Sequence, residues 1–120
     1  MTATPTMGFD FPAFKGAFEG KNYERWASLY DDDAEWIEYR HVSPPRSPNR
    51  MIGKKAISGF LASACQADFA TTIADEVLAG DRAAFSVTVA FPDGKRVFEH
   101  VIIQTTNGKI KRQVDVEAWD

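Results

Sequence analysis

The chain has 120 residues, of which 44% are hydrophobic and 26% are charged, and its formal net charge is −3. This length and composition fit one globular domain, and no apolar stretch approaches the roughly 20 residues of a membrane span. A membrane is therefore not an expected partner, and neither is a nucleic acid, because the basic residues are interspersed with acidic ones. The single cysteine, Cys65, excludes an internal disulfide.

The beginning of the chain predicts a short lead followed by a single domain. Residues 1–8 are expected to be a disordered N-terminal lead, and residues 9–120 form the domain. The lead lacks the basic segment and following apolar segment of a signal peptide, so we expect a cytoplasmic protein.

Two short amphipathic helices are predicted after the lead. Asp10 can cap the first helix, which ends at Gly20 and repeats phenylalanine at helical spacing, at Phe11, Phe14 and Phe18. Asn22 can cap the second helix, which ends at the acidic run 31–33. Its apolar stripe follows an i, i+3, i+4, i+7 pattern, at Tyr23, Trp26, Ala27 and Tyr30.

A strand, a loop and a third helix come next. The strand is predicted from Glu35 to His41. Residues 42–51, VSPPRSPNRM, are predicted to be irregular because proline removes a backbone donor and restricts the residue before it. The third helix is predicted from Lys54 to Gln66, with one apolar face formed by Ile57, Phe60, Leu61 and Ala64.

The rest of the chain has the pattern of a four-stranded meander. Turn signals at Gly80-Asp81, Asp93-Gly94 and Asn107-Gly108 separate the strands from Phe69 onward. Helices that precede and cover a mostly antiparallel sheet predict an α+β fold.

The last hairpin gives the most specific prediction about chemistry. If Asn107-Gly108 forms a two-residue type I′ turn, Thr106 faces Lys109, and the same register places His100 opposite Asp115. Directly opposed side chains have Cβ atoms roughly 5 Å apart, which suits an imidazole held by a carboxylate. The pair is a candidate acid/base site; the alternative is a structural ion pair on a solvated face.

The turn before this hairpin decides what surrounds the predicted pair. A two-residue turn at Asp93-Gly94 would place apolar side chains on the same face, namely Phe85, Val87, Val89, Phe98 and Ile102. A three-residue loop would instead bring in Ala84, Ser86 and Thr88 and leave the pair solvated. The sequence leaves both possibilities open. Gln113 lies on this face in either case.

Three segments in order carry a family resemblance: WASLYDDDAEWIE, RMIGKKAISGFL and FEHVIIQTTNGKIKRQVDV. With them the chain resembles the nuclear transport factor 2-like superfamily, in particular its SnoaL-like polyketide cyclases and ketosteroid isomerases, over roughly Phe11 to Trp119. The resemblance implies a cone-shaped, cystatin-like fold with N-terminal helices packed on a curved, mostly antiparallel sheet.

The resemblance also implies roles for single residues. Asp115 matches the last-strand acid that serves as acid/base in the SnoaL-like cyclases, and His100 matches a polar pocket position. Glu38 falls where the ketosteroid isomerases carry their carboxylate base. Phe14 stands where those isomerases have a tyrosine that donates to the oxyanion, which argues against that activity. Phe98 stands where the epoxide hydrolases of this fold have an arginine.

We therefore predict a small-molecule enzyme that transfers protons without a cofactor, as an isomerase, cyclase or dehydratase of an apolar carbonyl compound. The predicted catalytic residues are His100, Asp115 and Glu38. The residues expected to line the ligand pocket are Phe14, Trp26, Tyr30, Trp36, Phe60, Phe85, Val87, Phe98, Ile102 and Gln113. The spacing of histidine and cysteine predicts no metal site. The alternative is a non-catalytic ligand-binding or structural dimer domain of the same fold.

A homodimer is predicted through the convex face of the sheet, through which proteins of this superfamily commonly pair. With the register above, this face would carry an apolar strip of Val97, Val101, Ile103, Val114 and Val116. A two-fold symmetric contact would bury it.

Overall fold

The computed structural model describes residues 8–120, so almost all of the predicted lead lies outside the described residues. Within this range there are three helices and six strands: α1 (Phe11–Glu19), α2 (Tyr23–Ala27), β1 (Tyr30–Tyr39), β2 (Asn49–Ile52), α3 (Lys54–Ala64), β3 (Ala70–Ala79), β4 (Arg82–Ala90), β5 (Arg96–Thr106) and β6 (Lys109–Trp119). No helix among residues 8–120 has both the length and the apolar character needed to cross a bilayer.

The six strands form one curled sheet in the order β2-β1-β6-β5-β4-β3. β1 and β6 run parallel, and every other neighbouring pair is antiparallel. One face, here called the concave face, packs against the helices around a core rich in aromatic side chains. The opposite face is called the convex face. The predicted α+β fold is thus confirmed.

Both predicted helix caps are present. The Asp10 Oδ1 atom accepts a hydrogen bond of 3.0 Å from the Ala13 N–H, and the Asn22 Oδ1 atom accepts one of 3.2 Å from the Arg25 N–H. These bonds satisfy donors that a helix start leaves unpaired.

The second helix is shorter than predicted. It ends at Ala27, and Tyr30 already belongs to β1, where it pairs with Ile110 of β6. Tyr30 is fully buried. Its place in the sheet and core therefore overrides the helical spacing of its side chain, and the acidic run 31–33 lies in β1.

The boundaries around the proline-rich loop also differ from the prediction. β1 spans Tyr30–Tyr39 instead of Glu35 to His41. Residues 49–51, predicted to be irregular, belong to β2, which pairs antiparallel with β1. Pro48 is the last proline of the loop, so the backbone donors after it are free to form a strand.

The third helix is also shorter than predicted. α3 ends at Ala64, two residues before the predicted end.

A β-bulge interrupts the last hairpin. Thr106 pairs with Lys109, as the turn predicts, but further from the turn the pairing has changed, since Gln104 pairs with Arg112. Lys111 is the extra residue in β6. A bulge of this kind shifts every later pair by one residue and turns the side chains of one strand to the other face.

This shift makes the predicted His100–Asp115 pair wrong. His100 lies opposite Val116, and Asp115 lies opposite Val101. Asp115 is buried on the concave face with 2% of its surface exposed, whereas His100 is exposed on the convex face.

The loop at 92–94 takes the three-residue alternative. Phe91 and Lys95 are joined by a backbone hydrogen bond, and Ser86 therefore lies opposite His100.

The predicted apolar strip on the convex face is wrong for most of its members, because the bulge changes the register. Its three β5 members are buried in the core: Val97, Val101 and Ile103. Val114 is half-buried and Val116 is exposed on the convex face.

Candidate functional site

A cavity of about 290 Å³ opens on the concave face of the sheet. Its aromatic lining residues are Phe18, Trp26, Trp36, Phe60, Phe69, Phe91 and Trp119. Its polar lining residues are Glu38, Arg40, Asn49, Thr71, Glu99, Asp115 and Glu117. An apolar wall with a few convergent polar groups is the usual composition of a small-molecule site.

The strand register brings four carboxyl groups together in this cavity. Glu38 of β1 pairs with Asp115 of β6, and Glu99 of β5 pairs with Glu117 of β6. Asp115 and Glu117 are two residues apart and so point to the same face. We call these four residues the acid cluster. Carboxylate oxygens of Glu38, Asp115 and Glu117 lie within 4.8 Å of one another.

A buried hydrogen-bond network fixes Asp115. The Trp36 Nε1–H donates to Asp115 Oδ2 over 3.0 Å, and the Gln113 Nε2–H donates to Oδ1 over 3.1 Å. The Tyr30 hydroxyl donates to Gln113 Oε1, and the Trp26 Nε1–H donates to the Tyr30 oxygen over 3.3 Å. Asp115 is therefore held by a network whose members have little freedom to move.

The outer acids of the cluster are held by residues near the cavity mouth. The Asn49 amide donates to Glu38 Oε1 over 2.8 Å, and the Trp119 Nε1–H donates to Glu117 Oε1 over 2.9 Å. Glu38 and Glu117 also share a hydrogen bond. The Arg40 guanidinium lies 4.7 Å from the centre of the Trp119 ring.

Burial and the charges of neighbouring acids raise the pKa of three members of the cluster: Glu99, Asp115 and Glu117. Burial raises the pKa of Glu99 to about 10, and the charges of Asp115, Glu117 and Glu38 act in the same direction. Burial raises the pKa of Glu117 to about 7; the charge of Glu38 and the shared hydrogen bond add to this, while Trp119 and Arg40 oppose it. Burial also raises the pKa of Asp115 well above its usual value, against the hydrogen bonds from Gln113 and Trp36.

These pKa values place an acid and a base in one cavity near neutral pH. The Glu99 carboxyl keeps its proton and can donate a hydrogen bond, whereas Glu117 exchanges its proton near pH 7. Groups whose environments separate their pKa values in this way are suited to general acid and general base roles.

The same oxygens offer ligand spacing for a cation. Among residues 8–120, the group with spacing that could hold a metal ion is Glu38, Asp115 and Glu117. A carboxyl group must lose its proton to bind a metal, so the raised pKa values work against this. The expectation of a metal-free site stays a prediction.

The structure separates the predicted site residues into three groups. The residues that line the cavity are Glu38, Asp115, Trp26, Trp36 and Phe60. The residues that are buried without lining it are Phe14, Tyr30, Phe85, Val87 and Gln113. The residues on the convex face are His100, Phe98 and Ile102, with the His100 and Phe98 rings 5.1 Å apart. The last group is misplaced because the bulge was not foreseen.

Sequence reasoning missed Glu99 and Glu117 as site residues. One signal for them is present in β6, where the buried Ile110 is followed by two adjacent exposed charged residues, Lys111 and Arg112. Strict alternation would put one of these two in the core, so the pattern indicates an extra residue. Correcting the register by one residue places Glu99 and Glu117 opposite each other in the cavity.

The raised pKa values make the stability of the domain depend on pH. The folded state keeps protons on Glu99 and Glu117 that the unfolded chain releases near pH 4.3, so stability falls as pH rises. The loss of stability continues up to about pH 7 for Glu117 and up to about pH 10 for Glu99.

We therefore expect Glu99→Gln to unfold at higher urea concentration than the wild type at pH 8, and to show a smaller change between pH 5 and pH 8. Urea titrations at both pH values measure this. Glu35→Gln is the control, because Glu35 forms ion pairs with Arg50 and Arg112 outside the cavity. Equal pH slopes in the wild type and Glu99→Gln would contradict the burial of a protonated Glu99.

Comparison with known families identifies the domain. The profile of the SnoaL-like domain family matches residues 12–113, which is most of the chain. The chain belongs to the SnoaL-like domain family. The resemblance found in the three sequence segments is thereby confirmed.

Solved structures share the fold of this SnoaL-like domain. A proposed ketosteroid isomerase from Kribbella flavida is 21% identical with a TM-score of 0.75, over 92% of this chain and 74% of that one. A protein of ketosteroid isomerase-like fold from Catenulispora acidiphila, in complex with trimethylamine, is 20% identical with a TM-score of 0.69, over 88% and 82%. A proposed polyketide cyclase from Sinorhizobium meliloti is 19% identical with a TM-score of 0.69, over 88% and 91%.

At this level of identity the structural likeness establishes the fold alone. No curated protein matched the chain. The function of this SnoaL-like domain must therefore be argued from its own cavity.

Proposed function

We propose that this SnoaL-like domain is an enzyme that transfers a proton to or from carbon next to a carbonyl group, without a cofactor. Isomerisation, cyclisation and dehydration of a small apolar carbonyl compound all include such a step. The observation that carries the proposal is the pairing of Glu117, with a pKa of about 7, and Glu99, with a pKa of about 10, in one aromatic cavity.

The two glutamates supply complementary roles in the proposed reaction. Ionised Glu117 accepts a proton from the carbon next to the carbonyl, and the electron pair of the broken C–H bond moves to the carbonyl oxygen. The neutral Glu99 carboxyl donates a hydrogen bond to the resulting oxyanion, and stabilising an oxyanion commonly contributes more to such catalysis than any other effect. Glu117 then returns the proton to carbon. The charge of Glu38 and its hydrogen bond with Glu117 favour the protonated form of Glu117, and so strengthen it as a base.

Asp115 acts as a positioning residue in this scheme. Trp36 and Gln113 already occupy its two oxygens, so it offers little to a substrate. Its fixed place in the cluster supports the raised pKa of Glu99, because the charge of Asp115 favours the protonated form of that neighbour. The isomerase and cyclase descriptions of the Kribbella and Sinorhizobium structures agree with this class of reaction.

Hydrogen–deuterium exchange of a flat apolar ketone tests the proposed proton transfer. We expect the wild type to accelerate exchange of the α-protons of 2-tetralone in deuterated buffer, followed by ¹H NMR, with a rate that rises with pH through about 7 as Glu117 ionises. His100→Ala should exchange at the wild-type rate, because His100 lies on the convex face. Binding of 2-tetralone without faster exchange would instead support the non-catalytic ligand-binding domain.

We also propose that the domain forms a homodimer through its convex face. Three exposed apolar side chains support this: Phe98, Ile102 and Val116, exposed by 48%, 52% and 55%. Phe98 and Ile102 are on β5, and Val116 lies beside them on β6. A symmetric contact would remove this apolar surface from water.

Charge placed in this surface should separate the subunits. We expect Ile102→Glu to elute as a monomer and the wild type as a dimer in size-exclusion chromatography with light scattering at micromolar concentration. Val42→Glu is the control, since Val42 is 61% exposed in the loop after β1. A wild-type mass of 13.4 kDa would contradict the dimer.

A further inference from the structure

We infer that the substrate of this cavity carries an amine or quaternary ammonium group, which binds against the inner aromatic rings beside the acid cluster. The inference rests on the proposed function for the place of the substrate and narrows it, because the otherwise apolar carbonyl compound would carry one positively charged group. It follows from the charges that face the cavity, from the rings that line it and from the hydrogen bonds of the cluster.

The cavity is lined by four acidic residues and by one basic residue, Arg40. Its ionisable lining residues are Glu38 and Arg40 from β1 and its end, Glu99 from β5, and Asp115 and Glu117 from β6. The lining residues from the helices, β3 and β4 have no ionisable side chain. No member of the acid cluster forms a salt bridge among residues 8–120. Above about pH 7 the Glu117 carboxylate is therefore ionised without a salt-bridge partner, and a cationic ligand can supply the opposite charge.

The rings of the cavity already bind cations of the protein at its edges. Arg40 lies over Trp119 at 4.7 Å, and the Lys21 ammonium lies over Phe69 at 4.2 Å. The inner rings of Trp26, Trp36 and Phe60 have no cation over them in the described part of the chain. An aromatic face attracts an ammonium group, and the attraction is strongest where the site excludes water. The inner rings thus offer an ammonium group the same kind of contact, close to the acids.

The hydrogen bonds of the cluster favour an ammonium group over a metal ion. Trp36 and Gln113 occupy both Asp115 oxygens, and Asn49 and Trp119 occupy one oxygen each of Glu38 and Glu117. A divalent metal needs short bonds of about 2.0–2.6 Å to such oxygens. A bulky ammonium group needs only nearby negative charge and apolar contact, which this arrangement leaves intact.

Binding of a cation should release protons from the cluster. A positive charge favours the ionised carboxylate and so lowers its pKa. If the ligand binds when Glu117 is ionised, its affinity rises with pH through about 7, by about tenfold between pH 6 and pH 8.

Two probes that differ only in charge test the inference. Choline and its neutral isostere 3,3-dimethylbutan-1-ol share one shape, and titration calorimetry measures both at pH 6 and pH 8. We expect choline to bind at least tenfold more tightly than the isostere at pH 8, and about tenfold more weakly at pH 6 than at pH 8. Equal affinities of the two probes, no binding of choline, or an affinity of choline that does not change with pH would overturn the inference. Displacement of choline by equimolar MgCl₂ would also overturn it and assign the cluster to a metal ion.

Matched variants locate the effect in the cavity. Glu117→Gln should weaken choline binding and remove its pH dependence, while Glu35→Gln should bind choline like the wild type. If Glu117→Gln and Glu35→Gln bind choline with the same affinity and the same pH dependence, the inference is overturned. Exchange of 2-tetralone separates this result from the proposed function, because that ketone has no charge. If the wild type accelerates exchange of the 2-tetralone α-protons but does not bind choline, only the cationic substrate is refuted. If it binds choline but does not accelerate this exchange, only the proton transfer is refuted.

Discussion

Replacing Glu117 with glutamine should lower the rate of α-proton exchange by about 10²- to 10⁴-fold, the usual contribution of a positioned general base. A glutamine amide cannot accept the proton, although its oxygen can still accept the hydrogen bond from Trp119. The variant should also lose the rise in rate through pH 7. NMR exchange of 2-tetralone at several pH values measures both effects.

Two substitutions of Glu99 separate its proposed role from that of Glu117. Glu99→Gln keeps a neutral hydrogen-bond donor and should retain exchange within about tenfold, whereas Glu99→Ala removes the donor and should lose about 10²- to 10³-fold. Exchange at the wild-type rate in Glu117→Gln would show that Glu117 is not the base. Equal losses in Glu99→Gln and Glu99→Ala would contradict the role of Glu99 as a neutral donor.

Phe14→Ala should reduce the free energy of unfolding by about 3–5 kcal/mol, the cost of removing a buried phenylalanine ring from a packed core. Phe14 is fully buried. Its ring packs against five other aromatic rings at centroid distances of 5.6–6.3 Å: Phe9, Phe11, Phe18, Trp26 and Phe85. Two of these, Phe18 and Trp26, line the cavity, so the cavity wall loses its support as well.

Urea titration followed by tryptophan fluorescence measures this loss. If Phe14→Ala does not fold, Phe14→Leu keeps most of the volume and should lose about 1–1.5 kcal/mol. Tyr23→Ala is the control, because Tyr23 is 41% exposed in α2, and it should lose less than about 1 kcal/mol. A loss in Phe14→Ala no larger than that in Tyr23→Ala would refute the structural role of the Phe14 ring.

Local features of the fold could be predicted from sequence because short-range chemistry determines them. Asp10 and Asn22 cap helices through bonds to donors three residues away. Asn107 and Gly108 adopt positive φ angles of 51° and 79°, as a type I′ turn requires. The order of the elements followed from such signals and from apolar spacing.

Features that depend on distant residues were predicted less well. The helical spacing of Tyr30 gave the wrong element because its burial and pairing with β6 were not visible in the local pattern. The faces of β6 were predicted correctly, since Asp115 points inward and Val116 is exposed on the convex face. The faces of β5 were not, because Val101 is buried and His100 is exposed.

The candidate site was therefore predicted in part. Glu38 was identified from the family resemblance and Asp115 from both the hairpin and the resemblance, and the two residues share the cavity in the structure. His100 was assigned by a register that one extra residue, Lys111, invalidates. Glu99 and Glu117 could not be identified as site residues unless Lys111 was recognised as the extra residue of the bulge, because the shifted pairing is what places them opposite each other.

The most direct test of the acid cluster is a pH titration of the carboxyl groups by ¹³C NMR, with Glu99→Gln and Glu117→Gln used to assign the signals. We predict one glutamate carboxyl that titrates near pH 7, lost in Glu117→Gln, and one that keeps its proton to about pH 10, lost in Glu99→Gln. Titration of all glutamate carboxyls near pH 4.3 would contradict the protonated acid cluster and with it both proposed roles.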